Sequence, residues 1–473
     1  MKSVSSASVF TLSVLLLSAP VAAQESSKKE AVLRSLNRLG DGAQTCGLGV
    51  DFHASRRAEL FDMFPDTVLL FRGLAEPEAN LAFRQDKTFW YLTGIESPDA
   101  AILLDTRGGN EILFLPRANP MKESWNGEIW DAKDEWVRDL TGFQDVRPSE
   151  DLLEVLEDLT KEDGRVGISM HPAIGLAGSY DTSLGHLRAV KRDPLDGRLG
   201  RHGQLEARLK EKLNLEVFDI GPEVIEMRRI KTEEELDAIR RACRAGGLAM
   251  SEAIRSTRVG LGEWDLDALM TFVHMREGAD GPGYDAIVGS GINSCILHYQ
   301  ANNKIIADGD LILIDYGPEV DHYVTDITRT WPANGNFTER QAEIYDAVLA
   351  AQKAGIAAAK PGATLSSVDA ACTKVMRERG FQHLRRHGAC HYVGMEVHDP
   401  GESRKPLEPG VVFTIEPGLY ELETGIGVRI EDVVVITEDG CEVLTHHAPK
   451  ERAELEALVG ETGILDWADG RDG

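Results

Sequence analysis

Two aspartates flank a predicted turn in the segment LILIDYGPEVDHYVTDITRTW, residues 311 to 331. Asp315 ends an apolar run that is typical of a buried strand, and Asp326 lies on the strand that follows. We predict a hairpin with its turn centred between Val320 and Asp321. This register makes the two aspartates cross-strand partners on one sheet face, with their Cβ atoms roughly 5 Å apart. Carboxylates that close repel each other, and a bound cation would remove the conflict.

A second pair of acids has the same arrangement further along the chain. Glu416 ends an apolar run in VVFTIEPG, and Glu431 interrupts the apolar strand GVRIEDVVVI. We predict that this antiparallel pair also provides one acid from each strand. Four carboxylates that converge in a β core pack poorly, but their oxygen atoms suit hard divalent cations.

Histidines with suitable spacing occur in HGACHYVGMEVHD, residues 387 to 399. His387, His391 and His398 lie within one short stretch, and one imidazole could complete a site of oxygen and nitrogen donors. His298, in CILHYQ, could equally be a core residue or part of the site. No GxSxG motif is present, which argues against a serine nucleophile of that type.

Composition excludes several classes of partner. The chain has 473 residues and a net charge of −27, so nucleic acid and anionic membrane surfaces are not expected partners. Its six cysteines lack zinc-ribbon spacing.

Residues 1–23 carry a lysine, an apolar stretch and a small-residue end, which predicts a secretory signal cleaved after Ala23 and a periplasmic or secreted protein.

The pattern of elements predicts two domains after an N-terminal arm at residues 24–44. Short strands alternate with helices over residues 45–225, which predicts an α/β domain with a mixed sheet. Over residues 226–473, long helices alternate with antiparallel strand pairs, which predicts an α+β domain. A capping box of Thr232 and Glu235 is expected to begin the first long helix.

These motifs resemble those of the pita-bread metallopeptidases, within the Xaa-Pro aminopeptidase (aminopeptidase P) and prolidase group. The resemblance rests on ILHY, LIDYG, TDITRTWPANGNFT, HGACHYVGMEVHD, TIEPGLY and GVRIED in the second half of the chain. FRQDKTFWYLTGIESPDAAILL provides a looser likeness in the first half. The resemblance implies a creatinase-like N-terminal domain followed by a pita-bread catalytic domain.

The resemblance also implies the roles of individual residues. The family holds two divalent ions, and the ligands carried over to this chain are Asp315, Asp326, His391, Glu416 and Glu431. Further site residues carried over are His298, His398 and Arg429 as catalytic groups, with His387, Tyr284 and Tyr420 near the substrate. Four carboxylates and one imidazole favour manganese, with zinc and cobalt as alternatives.

The implied reaction is hydrolysis of the bond between an N-terminal residue and a following proline. A hydroxide activated by the two cations attacks the carbonyl carbon, and Glu416 transfers the proton. A prolidase that accepts only dipeptides is the alternative, and a metal-free creatinase-like hydrolase or a non-catalytic peptide-binding relative is a third. The resemblance further implies a homo-oligomer, either a dimer or a tetramer.

Overall fold

The computed structural model describes residues 28–30, 46–77 and 82–468. The predicted secretory signal and most of the predicted arm lie outside these described residues. Among the helices of the described part, none combines the length and the apolar composition that a membrane span requires.

The first half of the chain is built around one six-stranded sheet with the strand order β4-β3-β2-β1-β5-β6. Its strands are β1 (Val68–Arg72), β2 (Ala101–Asp105), β3 (Asn110–Leu115), β4 (Asp145–Pro148), β5 (Arg165–Ile168) and β6 (Glu216–Asp219). β1 is antiparallel to β2 and parallel to β5, so the sheet is mixed, as predicted. The helices of this half are α1 (Val50–Met63), α2 (Lys87–Thr93), α3 (Pro120–Asn126), α4 (Trp136–Thr141), α5 (Leu152–Thr160), α6 (Tyr180–Arg192) and α7 (Arg201–Leu213).

The second half contains long helices and short antiparallel strands. Its helices are α8 (Gly221–Arg229), α9 (Glu233–Ser256), α10 (Glu263–Arg276), α11 (Glu339–Ala358), α12 (Leu365–Glu378), α13 (Arg452–Val459) and α14 (Ile464–Ala468). Its strands are β7 (Gly281–Pro282), β8 (Ile287–Ser290), β9 (Leu311–Asp315), β10 (Pro318–Val320), β11 (Tyr323–Val324), β12 (Thr328–Pro332), β13 (Val412–Ile415), β14 (Gly418–Glu421), β15 (Ile426–Arg429), β16 (Asp432–Ile436) and β17 (Cys441–Val443). Thr232 and Glu235 form the predicted capping box at the start of α9.

The first hairpin runs from β9 to β12, and its predicted register is wrong. Asp315 pairs with Thr328, and the turn is formed by Asp321 and His322. Both turn residues have positive φ, 47° and 63°, the conformation in which a two-residue turn matches the twist of its strands. The turn therefore lies one residue later than predicted. The pairing shifts by two residues, which preserves the alternation of faces.

The second hairpin runs from β13 to β16 in a single register. Ile415 pairs with Asp432 on one side of a break, and Gly418 pairs with Arg429 on the other. Glu416 and Glu431 lie at this break, one on each strand, as predicted. Beneath the two hairpins lies a core of buried apolar residues from both hairpins and from helices α9 to α13. The acids are therefore carried by rigid strands whose opposite faces are anchored in this core.

Candidate metal centre

Three of the predicted ligands lie closest together. One donor atom from each of Asp326, His391 and Glu431 lies within 4.8 Å of the other two. Nε2 of His391 is 3.4 Å from Oδ2 of Asp326. Nδ1 of His391 lies 3.1 Å from the carbonyl oxygen of Tyr392, and donation to that oxygen leaves Nε2 available as a ligand.

The other two predicted ligands adjoin this group. The hydroxyl group of Tyr284 lies 2.6 Å from Oδ1 of Asp315 and 2.6 Å from Oδ1 of Asp326, so it bridges the two aspartates. Oε1 of Glu416 is 3.7 Å from Nε2 of His391. The wrong register in the first hairpin thus did not separate the aspartates, because Tyr284 joins them across the break between the strands.

A buried arginine supports the acids from behind. Nη2 of Arg429 donates to Asp315 at 2.6 Å, and its Nε donates to the hydroxyl oxygen of Thr328 at 3.0 Å. The Thr328 hydroxyl donates to Oε2 of Glu431 at 2.7 Å. Sequence analysis missed Thr328, although its position two residues after Asp326 placed it on the same face of a strand that carries a predicted ligand.

Burial makes three of the acids hard to ionise in the absence of a cation. Burial raises the pKa of Asp315 to about 7, even though Arg429 opposes the shift. Burial likewise raises the pKa of Glu416 to about 7. For Glu431, burial and repulsion by Asp326 raise the pKa well above its ordinary value.

The fourth acid is paired with the histidine. Burial would raise the pKa of Asp326, but the hydrogen bond and the charge of His391 lower it to about 2. Burial would lower the pKa of His391, but Asp326 and Glu416 raise it to about 9. The two acids thus stabilise a positive charge on His391, and a metal cation in the same place would be stabilised in the same way.

The donor set fits divalent cations. Arg429 and His391 cannot compensate four converging carboxylates, so negative charge remains uncompensated in a buried site. Oxygen-rich donors with one imidazole match the preference of hard and borderline divalent ions. The five residues sequence analysis selected as ligands are thus the ones that the structure brings together.

Two of the remaining histidines adjoin the five donors. Nε2 of His387 is 2.8 Å from the hydroxyl oxygen of Tyr420, and that hydroxyl accepts a hydrogen bond from Nη1 of Arg429 at 3.1 Å. Burial, helped by the charge of Arg429, lowers the pKa of His387 to about 4. The ring of His398 lies 4.3 Å from the ring of His391, centroid to centroid.

Sequence analysis missed the partner of His398. Nδ1 of His398 lies 2.7 Å from Oδ2 of Asp181, which belongs to helix α6 in the first half of the chain. Burial would raise the pKa of Asp181, but hydrogen bonds from Ser179 and His398 lower it. No local pattern in the sequence connects two residues that are 217 positions apart.

His298 lies at the exposed rim of the site. Partial burial lowers its pKa, and the positive charges of Arg429 and His398 add to the effect. These interactions indicate that His298 lies near Arg429 and His398, and its role as a site residue stays a prediction.

Sequence comparison agrees with this geometry. The profile of metallopeptidase family M24 matches residues 237–438, and that of the aminopeptidase P N-terminal domain matches residues 53–167. A protein of Haemophilus influenzae named Xaa-Pro aminopeptidase is 32% identical over 443 residues, which cover 85% of this chain and 96% of that protein. The chain belongs to metallopeptidase family M24, in the Xaa-Pro aminopeptidase and prolidase group.

Two further members of the group show how far the likeness extends. The structure of Escherichia coli aminopeptidase P with the inhibitor Pro-Leu matches 87% of this chain and 98% of its own, with a TM-score of 0.74 and 29% identity. A Pyrococcus furiosus Xaa-Pro dipeptidase is 41% identical, but over only 50% of this chain and 69% of its own length. The members of this M24 family are metallopeptidases, so divalent ions are implied for this chain.

Proposed function

We propose that this chain is a dinuclear metal aminopeptidase that releases the residue preceding a proline at the N-terminus of a peptide. The observation that carries the proposal is the convergence of four carboxylates and His391 within one buried site. Relatives named Xaa-Pro aminopeptidase match nearly their whole length, which supports the aminopeptidase over the dipeptidase alternative.

We assign the metal ligands as Asp315, Asp326, His391, Glu416 and Glu431. Asp326 and Glu431 are the acids that reach the same position as His391, which supports them as the residues shared between two ions. The donor set supports manganese as the physiological metal, with zinc and cobalt as the ions to compare. When bound, the ions supply positive charge that acidifies a water molecule and polarises the scissile carbonyl group.

Glu416 is the proposed proton carrier. Burial raises its pKa to about 7 in the absence of a metal, which is the range in which a carboxyl group can accept and release a proton near neutral pH. It accepts a proton from the attacking water and returns it to the nitrogen of the departing proline. That nitrogen has no hydrogen of its own in the peptide, so a donor in the enzyme is required.

His298 and His398 are proposed to stabilise the negative charge that develops on the carbonyl oxygen. Asp181 accepts a hydrogen bond from Nδ1 of His398 and so directs Nε2 of the ring away from helix α6. Arg429 is proposed to position Asp315, and His387 and Tyr420 to contact the substrate near proline. Tyr284 is proposed to adjoin the substrate beside the aspartates that it bridges.

Hydrolysis of a matched peptide series tests the proposal. The metal-depleted protein is assayed with an Xaa-Pro-Yaa tripeptide, the corresponding Xaa-Pro dipeptide and an Xaa-Ala-Yaa control, before and after addition of Mn²⁺, Zn²⁺ or Co²⁺. We expect metal-dependent cleavage of the tripeptide alone, with the highest rate in Mn²⁺. Cleavage of the dipeptide alone would establish a prolidase, and cleavage of neither peptide with any metal would refute the peptidase assignment.

We further propose a signal peptide at residues 1–23, export to the periplasm or medium, and a domain boundary near residues 225 and 226. The first proposal rests on the sequence of the N-terminus alone. N-terminal sequencing of the protein from the secreted fraction should give a sequence that begins at Gln24.

We also propose a homo-oligomer, and light scattering during size-exclusion chromatography should give the mass of a dimer or tetramer.

A further inference from the structure

A cavity of about 330 Å³ lies at the ends of two central strands of the N-terminal sheet. It is lined by residues at the carboxyl ends of the parallel strands β1 and β5, and helix α7 provides much of the remaining wall. In open α/β sheets, ligands bind in the crevice outside the carboxyl ends of parallel strands. The volume lies at the small end of the range for ligand pockets.

Two arginines that lack acidic partners give the cavity a positive charge. Arg72 is exposed at the end of β1, and Arg201 is half-buried at the start of α7. Within the described ranges, neither guanidinium group forms an ion pair. Burial lowers the pKa of Arg201, and the like charge of Arg72 adds to the shift while Asp86 opposes it.

The other charged groups of the cavity offset the charge of this pair only in part. Arg208 also lines the cavity and forms an ion pair with Glu211 at 3.2 Å. Asp86 lines the cavity as well, and its negative charge acts on Arg201, while its two carboxylate oxygens accept hydrogen bonds from the backbone of Phe89 and Ile174. Asp86 offsets the charge of one arginine, so the lining keeps a net positive charge, although the chain as a whole carries a net charge of −27.

A buried histidine in the wall has a free nitrogen. Nε2 of His171 lies 3.2 Å from Oε1 of Glu396, and the ring stacks on Tyr180 with a centroid distance of 4.6 Å. These contacts fix the ring. His171 is only 7% exposed, and its Nδ1 is buried without a hydrogen-bond partner in the part of the chain that the structure describes. Because Nε2 donates to Glu396, Nδ1 is an acceptor in the neutral ring, and a hydroxyl or amino group elsewhere on a ligand would supply its missing partner.

The start of helix α7 adds further donors. Gly200 precedes the helix and provides no side-chain cap. The first backbone N–H groups of a helix have no acceptor within it, and together with the helix dipole they attract anions. His202, in the same turn, lines the cavity, and burial with the charge of Arg201 lowers its pKa to about 4 despite an opposing effect of Asp86. At neutral pH its uncharged ring can still donate one hydrogen bond.

We propose that this cavity is a binding site for a small molecule that carries a phosphate or carboxylate group. The oxyanion would lie between Arg72 and Arg201, close to the start of α7. Guanidinium groups and helix N-termini are the groups that recognise such oxyanions. The proposal goes beyond the peptidase function and does not depend on it.

Isothermal titration calorimetry of the metal-loaded, full-length protein tests this proposal. Inorganic phosphate and succinate are titrated separately into the wild type and into the variants Arg72→Gln, Arg201→Gln and Arg198→Gln. Arg198 is the matched control, because it is exposed, pairs with Asp196 and does not line the cavity. Thermal melting identifies any variant that fails to fold. Arg72→Gln is the safer variant, because the Arg72 side chain is exposed, whereas Arg201 donates to the backbone of β1.

The expected result is binding of at least one of the two anions that becomes about tenfold weaker in Arg72→Gln and in Arg201→Gln, but is unchanged in Arg198→Gln. The anion that shows this loss identifies the ligand class as phosphate or carboxylate. An oxyanion bound only at the metal centre would bind equally well in all four proteins. That result, or no binding of either anion by the wild type, would overturn the proposal.

Discussion

Two buried clusters of charge in the second half of the chain differ in their balance. The first cluster involves the segment between α12 and β13. There Arg228 donates to Glu396 at 2.8 Å and to Asp399 at 2.5 Å, and Nζ of Lys231 lies 3.2 Å from Asp399. Two acids thus face two cations. Burial would raise the pKa of Asp399, but the charge of Arg228 lowers it.

The metal centre is also largely buried, although Glu416 and His391 are partly exposed, and it has an excess of acid. Four carboxylates face Arg429 and His391, and the pKa of Glu431 is raised well above its ordinary value. Burial of carboxylates alone therefore does not indicate a metal site. The indication comes from acids that the protein's own cations leave uncompensated, as buried charges require partners.

The largest expected effect is on catalysis. Asp326→Asn keeps the shape of the side chain but removes a charge that is proposed to be shared between two ions. We expect kcat/KM for an Xaa-Pro-Yaa peptide to fall by roughly a thousandfold or more. The control is Asp399→Asn in the balanced cluster, measured below its melting temperature, which should retain metal binding. Turnover by Asp326→Asn at the wild-type rate would remove Asp326 from the ligand set.

The two clusters should respond in opposite directions to the same substitution. The raised pKa of Glu431 means that folding of the metal-depleted protein must either bury a repelled charge or take up a proton. Glu431→Gln removes this cost, and we expect the free energy of unfolding to rise by about 1–3 kcal/mol. Glu396→Gln weakens the pairing of Arg228, and we expect a fall of about 1–3 kcal/mol. Urea denaturation of both variants in chelator measures the difference. A change of the same sign in both would contradict the comparison.

The stability of the metal-depleted protein should also depend on pH. Asp315 and Glu416 have a pKa of about 7 when folded, above the ordinary value of about 4, so the folded state binds the extra protons. Their contribution to stability therefore falls as the pH rises from about 4 to 7. His391, with a pKa of about 9, contributes stability that is complete below its ordinary value of about 6.5 and is lost through pH 9.

Asp326 acts in the other direction, because its pKa of about 2 gives stability that is lost only as the pH falls toward 2. Between pH 5 and pH 8 the metal-depleted protein should therefore lose stability. We expect added Mn²⁺ to raise the melting temperature more at pH 8 than at pH 5, as measured by differential scanning calorimetry. An equal rise at both pH values would show that the acids carry their charges independently of the metal.

The smallest effect is expected where an acid is neither deeply buried nor in excess. Asp181 pairs with His398 at the surface between the two halves, and exposed pairs of this kind contribute about 0–1 kcal/mol to stability. Asp181→Asn should leave the melting temperature nearly unchanged but lower kcat by up to about tenfold, with KM little affected, because His398 loses its orientation. A loss confined to KM would assign Asp181 to substrate binding.

The sequence was informative where chemistry and local pattern coincide. An acid at the end of an apolar strand is conspicuous, so Asp315 and Glu416 could be selected without a structure, and Arg429 by its resemblance to the family. The register of the first hairpin was not predictable in this way, because an Asp-His pair is not the usual composition for a turn with two positive φ angles. The contact between Asp181 and His398 depends on how the two halves of the chain pack against each other, and this packing cannot be inferred from the spacing of residues in the sequence.

The phenol oxygen of Tyr284 carries a single hydrogen, yet it lies 2.6 Å from each of two aspartates. It can donate to only one of them, so a second hydrogen bond at that distance needs a hydrogen from the other carboxyl group. Asp315, with its pKa of about 7, is the one able to hold it. Filling this site with a cation therefore exchanges hydrogen ions for metal, and the protein should acidify an unbuffered solution as it loads.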